Sequence, residues 1–344
     1  MLRAAAAART VCAAVILSIG LSGTLAGAGG FCRHPHGYPS APIGGNPGPV
    51  WKPNAELVLL GQKLFFDPRL SATGATSCAR CHDPRYAYAE PRRVSISDNG
   101  QPGRRNSPSL LDVGLRPTLM WDGVFCTLEQ QALGPFERNE MGLGVDHAMQ
   151  RVSSDPEYLH LFRLALGNWP TVEGFTRALA GYQRTLFSAE SRVDRFVMNN
   201  ETALLTPQEQ HGFYLFTRKA GCSICHHLSA AQPDGIPGRR LLLTDFRFHN
   251  LGIGYQWGRM VDAGRYALSQ VATEWGAFRT PSLRNIARTA PYMHDGSFAT
   301  LEEVVEFYSA GARPNPYLSP FIRPLFLDGA EKAALVAFLR ALND

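Results

Sequence analysis

Two copies of the pattern C-x-x-C-H, at residues 78–82 and 222–226, constrain this chain more than any other feature. In such a pattern two thiols form thioether bonds to a haem and the histidine binds the iron. A single copy in a cytosolic protein could be a thiol-redox or zinc site. Two copies, each after a helical pattern and in a chain with an export signal, favour two c-type haems. We therefore expect haem attachment at Cys78, Cys81, Cys222 and Cys225, with His82 and His226 as proximal iron ligands.

Residues 1–28 are typical of a secretory signal peptide. Arg3 and Arg9 form the basic start, and an apolar run and a small-residue exit at residues 25–28 follow. The run is too short and too broken by glycine to span a membrane. We therefore predict a periplasmic protein without a membrane span in the mature chain, beginning with an irregular arm at residues 29–54.

The rest of the composition excludes few classes. A formal net charge of +5, without a basic run or an aromatic platform, does not indicate nucleic-acid binding. Cys32 and Cys126 lie outside the haem motifs, and a disulfide between them or two separate thiols both remain open.

Apolar residues at helical spacing predict a mainly α-helical protein, and no alternating strand of useful length is present. A length of 344 residues suggests two domains, which we place at residues 55–195 and 196–344. A helix followed by C-x-x-C-H occurs in both, so an internal duplication is plausible. The expected helices cover residues 55–66, 144–166, 171–188, 207–221, 301–311 and 330–342.

The sixth coordination position of the first iron separates enzyme from electron carrier, because only an open iron can bind peroxide or oxygen. No histidine lies between His82 and His147, and the only methionines there are Met120 and Met141. A five-coordinate iron is the simplest interpretation, with either methionine as the alternative.

Beyond the two haem motifs, the order and spacing of shorter motifs resemble the bacterial di-haem cytochrome c peroxidases and their relative MauG. The resemblance covers nearly all of the mature chain. The motifs that carry it are G-Q-K-L-F-F at 61–66, R-N-S-P at 105–108, W-D-G at 121–123, Q-A-L-G-P at 131–135, E-M-G at 140–142, R-T-P-S-L-R-N at 279–285 and T-A-P-Y-M-H-D-G at 289–296.

The resemblance implies two cytochrome c-like helical domains, a haem in each and calcium between them. It places Gln131, Pro135 and Glu140 in the distal pocket of the first haem, where a carboxyl group can shuttle a proton during O–O cleavage. The segment at residues 137–140 is one residue shorter than the family pattern, so Glu137 remains a substitute for Glu140.

Other roles follow from the same resemblance. Trp121 matches a tryptophan that relays oxidising equivalents between the haems, although a plain core tryptophan is also common. Calcium ligands match Asn106, Thr289 and Pro291, through one side-chain oxygen and backbone carbonyls that suit a hard cation.

The sixth ligand of the second haem divides the family, since the peroxidases use methionine and MauG uses tyrosine. The matching position here is Tyr308, with Met293 as the rival ligand and a buried tyrosine without metal as the alternative. The peroxidases also close the first haem with a histidine until reduction, but residues 83–120 contain none. The resemblance thus implies a MauG-like enzyme that is active without reductive priming.

We therefore expect an oxidoreductase that takes hydrogen peroxide and oxidises a partner protein, with a tryptophan side chain as the expected target, by electron transfer. One alternative is a cytochrome c peroxidase that receives electrons from a small cytochrome or copper protein. A second is a non-enzymatic di-haem electron carrier with both irons six-coordinate.

Overall fold

The computed structural model describes residues 54–231 and 239–344. The predicted signal peptide, all of the predicted arm except Asn54, and Cys32 lie outside the described residues. Within the described ranges, none of the helices combines the length and the apolar character needed to cross a bilayer.

The first half is built from helices whose ends follow local capping signals. Helix α1 matches its predicted bounds, because the Asn54 side chain accepts hydrogen bonds from two amides of its first turn. The single helix predicted at residues 144–166 is wrong: Asp155 caps a new helix and Pro156 occupies its first position, so the chain breaks there. The helices are α1 (Ala55–Phe66), α2 (Cys78–Cys81), α3 (Leu128–Gln131), α4 (Gly134–Glu137), α5 (Val145–Ser154), α6 (Pro156–Leu166) and α7 (Val172–Gln183).

The second half is also mainly helical, as predicted, but it carries short strands that the sequence did not indicate. Capping boxes begin four of its helices, at Ser191 with Asp194, Thr206 with Glu209, Thr300 with Glu303, and Asp328 with Glu331. Its helices are α8 (Arg192–Asn199), α9 (Pro207–Thr217), α10 (Tyr266–Ser269), α11 (Leu301–Ser309) and α12 (Gly329–Ala341). The antiparallel strand pairs are β1 (Ala230–Ala231) with β2 (Arg240–Leu241), β3 (Phe248–Asn250) with β6 (Ala277–Arg279), and β4 (Tyr255–Gln256) with β5 (Arg259–Met260).

The buried apolar side chains form two separate cores. The first contains residues from Leu60 to Leu186, and the second contains residues from Val193 to Leu342. Each core includes residues on both sides of one haem motif. The domain boundary between residues 195 and 196 stays a prediction. In the structure, the first core ends at Leu186 and the second core begins at Val193.

The same helix crossing supports both cores. Helix α1 crosses α7 at Gly61, where an added Cβ would lie 1.9 Å from the Ala178 carbonyl oxygen. Helix α9 crosses α12 at Gly212, where an added Cβ would lie 2.0 Å from the Ala334 carbonyl oxygen. Both glycines begin the pattern G-x-x-L-F shortly before a haem motif. This match supports the duplication that the repeated C-x-x-C-H suggested.

Candidate functional site

The first haem motif presents its donors in the arrangement that a c-type haem needs. Cys78 and Cys81 occupy the ends of α2, and both thiols are free. His82 follows, with its Nδ1 3.1 Å from the Tyr88 carbonyl oxygen. That hydrogen bond fixes the ring and leaves Nε2 for iron. Burial lowers the pKa of His82, which favours the neutral imidazole that a metal requires.

The second motif repeats this proximal geometry in a short 3-10 turn. Its Cys222 and Cys225 thiols are free, and His226 Nδ1 lies 3.0 Å from the Leu243 carbonyl oxygen. Burial lowers the pKa of His226 to about 4. Four free thiols and two oriented neutral imidazoles fit two covalently bound haem c groups.

Glu140 is one of two carboxylates that the fold brings near the first motif, and the other is the buried Glu90. Burial is the main cause that raises the pKa of Cys78 and Cys81, the Glu140 charge raises both further, and the Glu90 charge has the larger effect on Cys81. The Glu140 carboxyl therefore lies near the two attachment sulfurs. Its backbone is fixed, because the Glu140 amide donates to the Pro135 carbonyl at 2.8 Å and its own carbonyl accepts from the Asp98 amide at 2.8 Å.

The environment of Glu140 favours its protonated form. Glu140 is exposed as a whole residue, but nearby protein atoms desolvate its carboxyl group and raise the pKa. The Arg138 guanidinium lowers this pKa and the Glu90 carboxylate raises it, and the net shift is upward. The alternative carboxylate, Glu137, is exposed at the end of α4.

Gln131 and Pro135 lie on the two short helices that precede Glu140. Gln131 is the last residue of α3. Its Nε2 lies 4.0 Å from the Met120 Sδ, so the amide and the thioether are in contact. Pro135 lies in the first turn of α4. Met141 is buried in the first core. Gln131 and Met120 are therefore neighbours, while Met141 contributes to packing.

Trp121 lies where the two halves meet and is 8% exposed. Its Nε1 donates to the Asn106 carbonyl at 2.8 Å, and its own carbonyl accepts from the Arg279 amide at 2.8 Å. Its ring also packs edge-on against His294, at 6.4 Å between centroids. Three contacts, two of them to the second half, hold this indole in one position.

The residues predicted to bind calcium share one cavity wall. Asn106, Thr289 and Pro291 all line the cavity that contains the second haem motif. Asn106 Nδ2 donates to the Arg92 carbonyl at 3.1 Å, which leaves Oδ1 as the free end of the amide. An amide oxygen with backbone carbonyls is a donor set that suits Ca²⁺, so these residues fit the ion.

The cavity of the second motif has a volume of about 250 Å³ and is lined mainly by apolar side chains. Both ligand candidates, Tyr308 and Met293, belong to its wall. Burial raises the pKa of the Tyr308 phenol, and the charges of Cys222 and Cys225 raise it further, so the hydroxyl lies close to both attachment sulfurs. A phenolate at this position therefore requires a cation beside it.

Cys126, the cysteine of the first half outside the haem motif, is disulfide-bonded. Its partner is not among the described residues, and the other end of the Cys32–Cys126 bridge considered from the sequence lies outside them. The bond ties the segment just before α3 to another part of the chain.

Two arginines in the cavity wall, Arg116 and Arg279, were not recognised from the sequence as functional residues. Arg279 opens the motif R-T-P-S-L-R-N, which was used only as a mark of resemblance. The sequence signal that could have identified Arg279 as a buried residue is its position beside the apolar residues of a strand. Burial becomes visible only in the folded chain, where Arg279 is 2% exposed.

Comparisons with known proteins find similarity to di-haem proteins. A sequence profile described as di-haem cytochrome c peroxidase matches residues 55–202. The methylamine utilization protein MauG of Methylorubrum extorquens is 36% identical over 291 residues, covering 84% of this chain and 78% of that protein. The cytochrome-c peroxidase IdrP1 of a Pseudomonas species is 36% identical over 328 residues, covering 89% and 86%.

Solved structures show the same relationship. The crystal structure of a MauG-like protein associated with microbial copper homeostasis superposes with a TM-score of 0.75 at 32% sequence identity. The match covers 88% of this chain and 96% of that protein. The similarity therefore extends over both cores.

Proposed function

Because the chain belongs to the di-haem cytochrome c peroxidase family, and is thus an oxidoreductase with two haem c groups, we propose that it uses hydrogen peroxide to oxidise a partner protein by long-range electron transfer. The partner supplies two electrons, and peroxide with two protons becomes two molecules of water. The reaction takes place in the periplasm, and a tryptophan side chain of the partner is the proposed target. Calcium held by Asn106, Thr289 and Pro291 completes the set of cofactors.

The chain divides the work between its two halves. Cys78, Cys81 and His82 hold the first haem, and Cys222, Cys225 and His226 hold the second. The bound irons supply the redox chemistry that peroxide reduction needs. The protein residues orient the peroxide, move protons and fix the path for electrons.

Glu140 handles the proton in this proposal. Its carboxylate accepts a proton from one peroxide oxygen and returns it to the departing oxygen, which leaves as water. A raised pKa suits both steps, since the group must take and give the same proton near neutral pH. Gln131 orients the peroxide by hydrogen bonding, and Pro135 narrows the pocket.

The placement of Trp121 is the observation that carries the proposal. Its indole is buried at the junction of the two halves, lines the cavity of the second haem motif and is hydrogen-bonded to Asn106. A fixed aromatic ring between two redox sites is a suitable relay for oxidising equivalents. An electron carrier with two independent haems would gain nothing from it.

Tyr308 supports the MauG-like branch. Its hydroxyl lies near both attachment sulfurs of the second haem, and an anionic oxygen ligand favours the oxidised states of iron. With Tyr308 and His226 holding it, the second haem would favour storage of an oxidising equivalent over donation of an electron.

The second candidate function is a cytochrome c peroxidase supplied with electrons by a small cytochrome or copper protein. The similarity to proteins named cytochrome-c peroxidase favours it. Rapid steady-state turnover with reduced cytochrome c, and inactivity before half-reduction, would support this candidate against the first.

An EPR spectrum of the resting enzyme, before and after one equivalent of peroxide, tests the proposal. We expect one high-spin and one low-spin ferric haem at rest, with both signals diminished after peroxide. Two low-spin haems at rest would contradict it. Trp121→Phe should restrict the change to the first haem, whereas Trp169→Phe, which alters a tryptophan that is 58% exposed, should behave like wild type.

A further inference from the structure

The guanidinium groups of Arg116 and Arg279 lie in the wall of the cavity that Trp121 also lines. Among residues 54–231 and 239–344, no carboxylate oxygen lies within the 4.0 Å of an ion pair with Arg116 or Arg279. Asp112 acts on Arg116 only from beyond that distance. Two other arginines with little exposed side chain differ: Arg284 lies 2.8 Å from Asp194, and Arg105 lies 2.6 Å from Asp122.

The hydrogen bonds of the two side chains satisfy only part of each guanidinium. Arg116 Nη2 donates to the carbonyls of Ser109 and Leu111, at 2.9 and 2.8 Å. Arg279 Nε donates to the Met120 carbonyl and its Nη1 to the Thr280 carbonyl, both at 3.3 Å. The remaining N–H groups of both side chains are available to a ligand in the cavity.

Burying such a pair without an anion is unfavourable. A buried charge without a partner is unfavourable, and two like charges repel each other as well. Burial and, to a smaller extent, the Arg116 charge lower the pKa of Arg279 to about 9. Burial lowers the pKa of Arg116 to about 10, although the Asp112 charge acts in the opposite direction. The site is thus completed by negative charge from outside the polypeptide.

The position of the pair indicates the source of that charge. Both arginines line the cavity that holds Cys222, Cys225 and His226, and the Arg116 charge also lowers the pKa of His82. Both arginines therefore lie near the second haem motif, and Arg116 also lies near the proximal histidine of the first. A haem brings two propionate carboxylates into such a site, and a guanidinium binds a carboxylate through two parallel hydrogen bonds.

We propose that Arg116 and Arg279 bind haem propionate carboxylates at the junction of the two haem sites. The paired charges fix the haem edge beside Trp121 and hold the potential of that haem above the value it would have with an uncompensated carboxylate. The inference rests on haem attachment alone. It stands whether or not the partner protein or Glu140 acts as proposed.

Spectroelectrochemical titration of each haem in full-length Arg279→Gln and Arg116→Gln tests this assignment. Removing a guanidinium leaves a carboxylate charge near the iron, which favours the ferric form. We expect the ferric–ferrous equilibrium of the affected haem to shift about tenfold towards ferric, ~59 mV for one electron. The lysine variants should shift less, because they keep the charge and lose the planar fork.

Arg247→Gln is the matched control, since it removes one positive charge from an exposed position of the second half. A shift in the second haem identifies its propionates as the ligands, and a shift in the first haem identifies those of the first. Shifts no larger than that of Arg247→Gln in both haems would overturn the proposal.

Resonance Raman spectroscopy of the wild-type holoprotein provides a test that needs no variant. The haem stays attached when the chain unfolds, so the unfolded protein is a reference with solvated propionates. We expect the propionate bending bands to differ between native and unfolded protein, as for hydrogen-bonded and free carboxylates. Bands at the same frequency in both states would refute the assignment even if the variants failed to fold.

Discussion

The two haem regions share one proximal design and differ in the other groups that lie near their attachment cysteines. In both, a helix crosses its partner at a glycine, the haem motif follows, and the histidine Nδ1 contacts a backbone carbonyl at 3.1 Å or 3.0 Å. A duplicated scaffold can therefore hold two haems in the same way. The chemistry that each haem performs must come from what lies opposite.

The two regions place different groups near the attachment cysteines. Near Cys78 and Cys81 the chain provides the Glu140 carboxyl, held by backbone hydrogen bonds. Near Cys222 and Cys225 it provides the Tyr308 phenol in a mainly apolar cavity. A carboxyl can move protons, whereas a phenol can become a strong anionic ligand. The contrast indicates why the first region would react with peroxide and the second would store its oxidising power.

Glu140→Gln should produce the largest effect on this contrast. The amide has nearly the same shape but cannot carry the proton, so we expect the reaction with peroxide to slow by ~10²–10⁴-fold. Stopped-flow absorption of the first haem measures the rate. Glu137→Gln is the matched control three residues earlier, and a larger loss in that variant would transfer the role to Glu137.

The raised pKa of Glu140 predicts how the same rate depends on pH. Only the carboxylate can accept the first proton, so the rate should rise with pH through a step above the ordinary glutamate pKa of about 4.3. The step should be absent in Glu140→Gln. Because the raised pKa means that the folded state binds the Glu140 proton more tightly than the unfolded state does, Glu140 stabilises the fold at low pH. Its contribution to the unfolding free energy falls as pH rises from the ordinary glutamate pKa through the raised pKa of the folded state.

Gly61→Ala and Gly212→Ala test whether the two scaffolds are equivalent. The added methyl group would strike a backbone carbonyl oxygen in each crossing, at 1.9 Å and 2.0 Å. We expect each variant to lose about 1–3 kcal/mol of unfolding free energy, measured by denaturant titration. Gly144→Ala and Gly329→Ala, where no atom lies within 4 Å of the new Cβ, are the controls. A stable Gly212→Ala with an unstable Gly61→Ala would show that the crossings differ.

Tyr308→Phe should change the second haem and leave the first unaltered. Loss of an anionic oxygen ligand should shift the ferric–ferrous equilibrium by about tenfold or more towards ferrous, ~59 mV per tenfold. The low-spin EPR signal should change with it. Met293→Leu separates the two candidate ligands in the same cavity wall. If Met293→Leu alters the spectrum and Tyr308→Phe does not, methionine is the ligand and the MauG-like assignment fails.

Removal of calcium should have the smallest effect and should act on the junction between the regions. Asn106 is both a proposed calcium ligand and the acceptor of the Trp121 indole N–H. We expect chelation to change the rate at which the first haem region reacts with peroxide by no more than a few-fold. The rate of oxidation of the second haem should fall. Readdition of Ca²⁺ should restore it. Equal slowing of both haems would show that the ion supports the whole fold instead.

Local signals predicted much of the fold. The bounds of α1 and the start of α9 follow from single capping residues, Asn54 and Thr206, which act within one turn of themselves. The break between α5 and α6 also follows from a capping residue, Asp155. It was not predicted, because the apolar residues of this segment keep a helical spacing. The short strands could not be predicted, because pairs of two or three residues depend on a partner up to about thirty residues away.

The candidate site divides in the same way. The haem-binding cysteines and histidines are identifiable because their spacing alone creates the chemistry. Glu140 was selected by resemblance, and only the fold shows its charge acting on Cys78 and Cys81, some sixty residues earlier. Arg116 and Arg279 illustrate the limit most clearly, since an arginine in a sequence carries no sign of whether it will be buried without a carboxylate.

The sequence by itself thus determined that the chain is mainly helical and carries two haem-attachment motifs, because covalent attachment and helix capping are local; export remains its prediction. The tertiary structure decided which groups lie near each motif, that Trp121 is held at the junction of the two halves, and that two arginines without an ion pair share one cavity. These are contacts between residues far apart in the chain, and the physical reason is that burial and charge pairing exist only after the cores have formed.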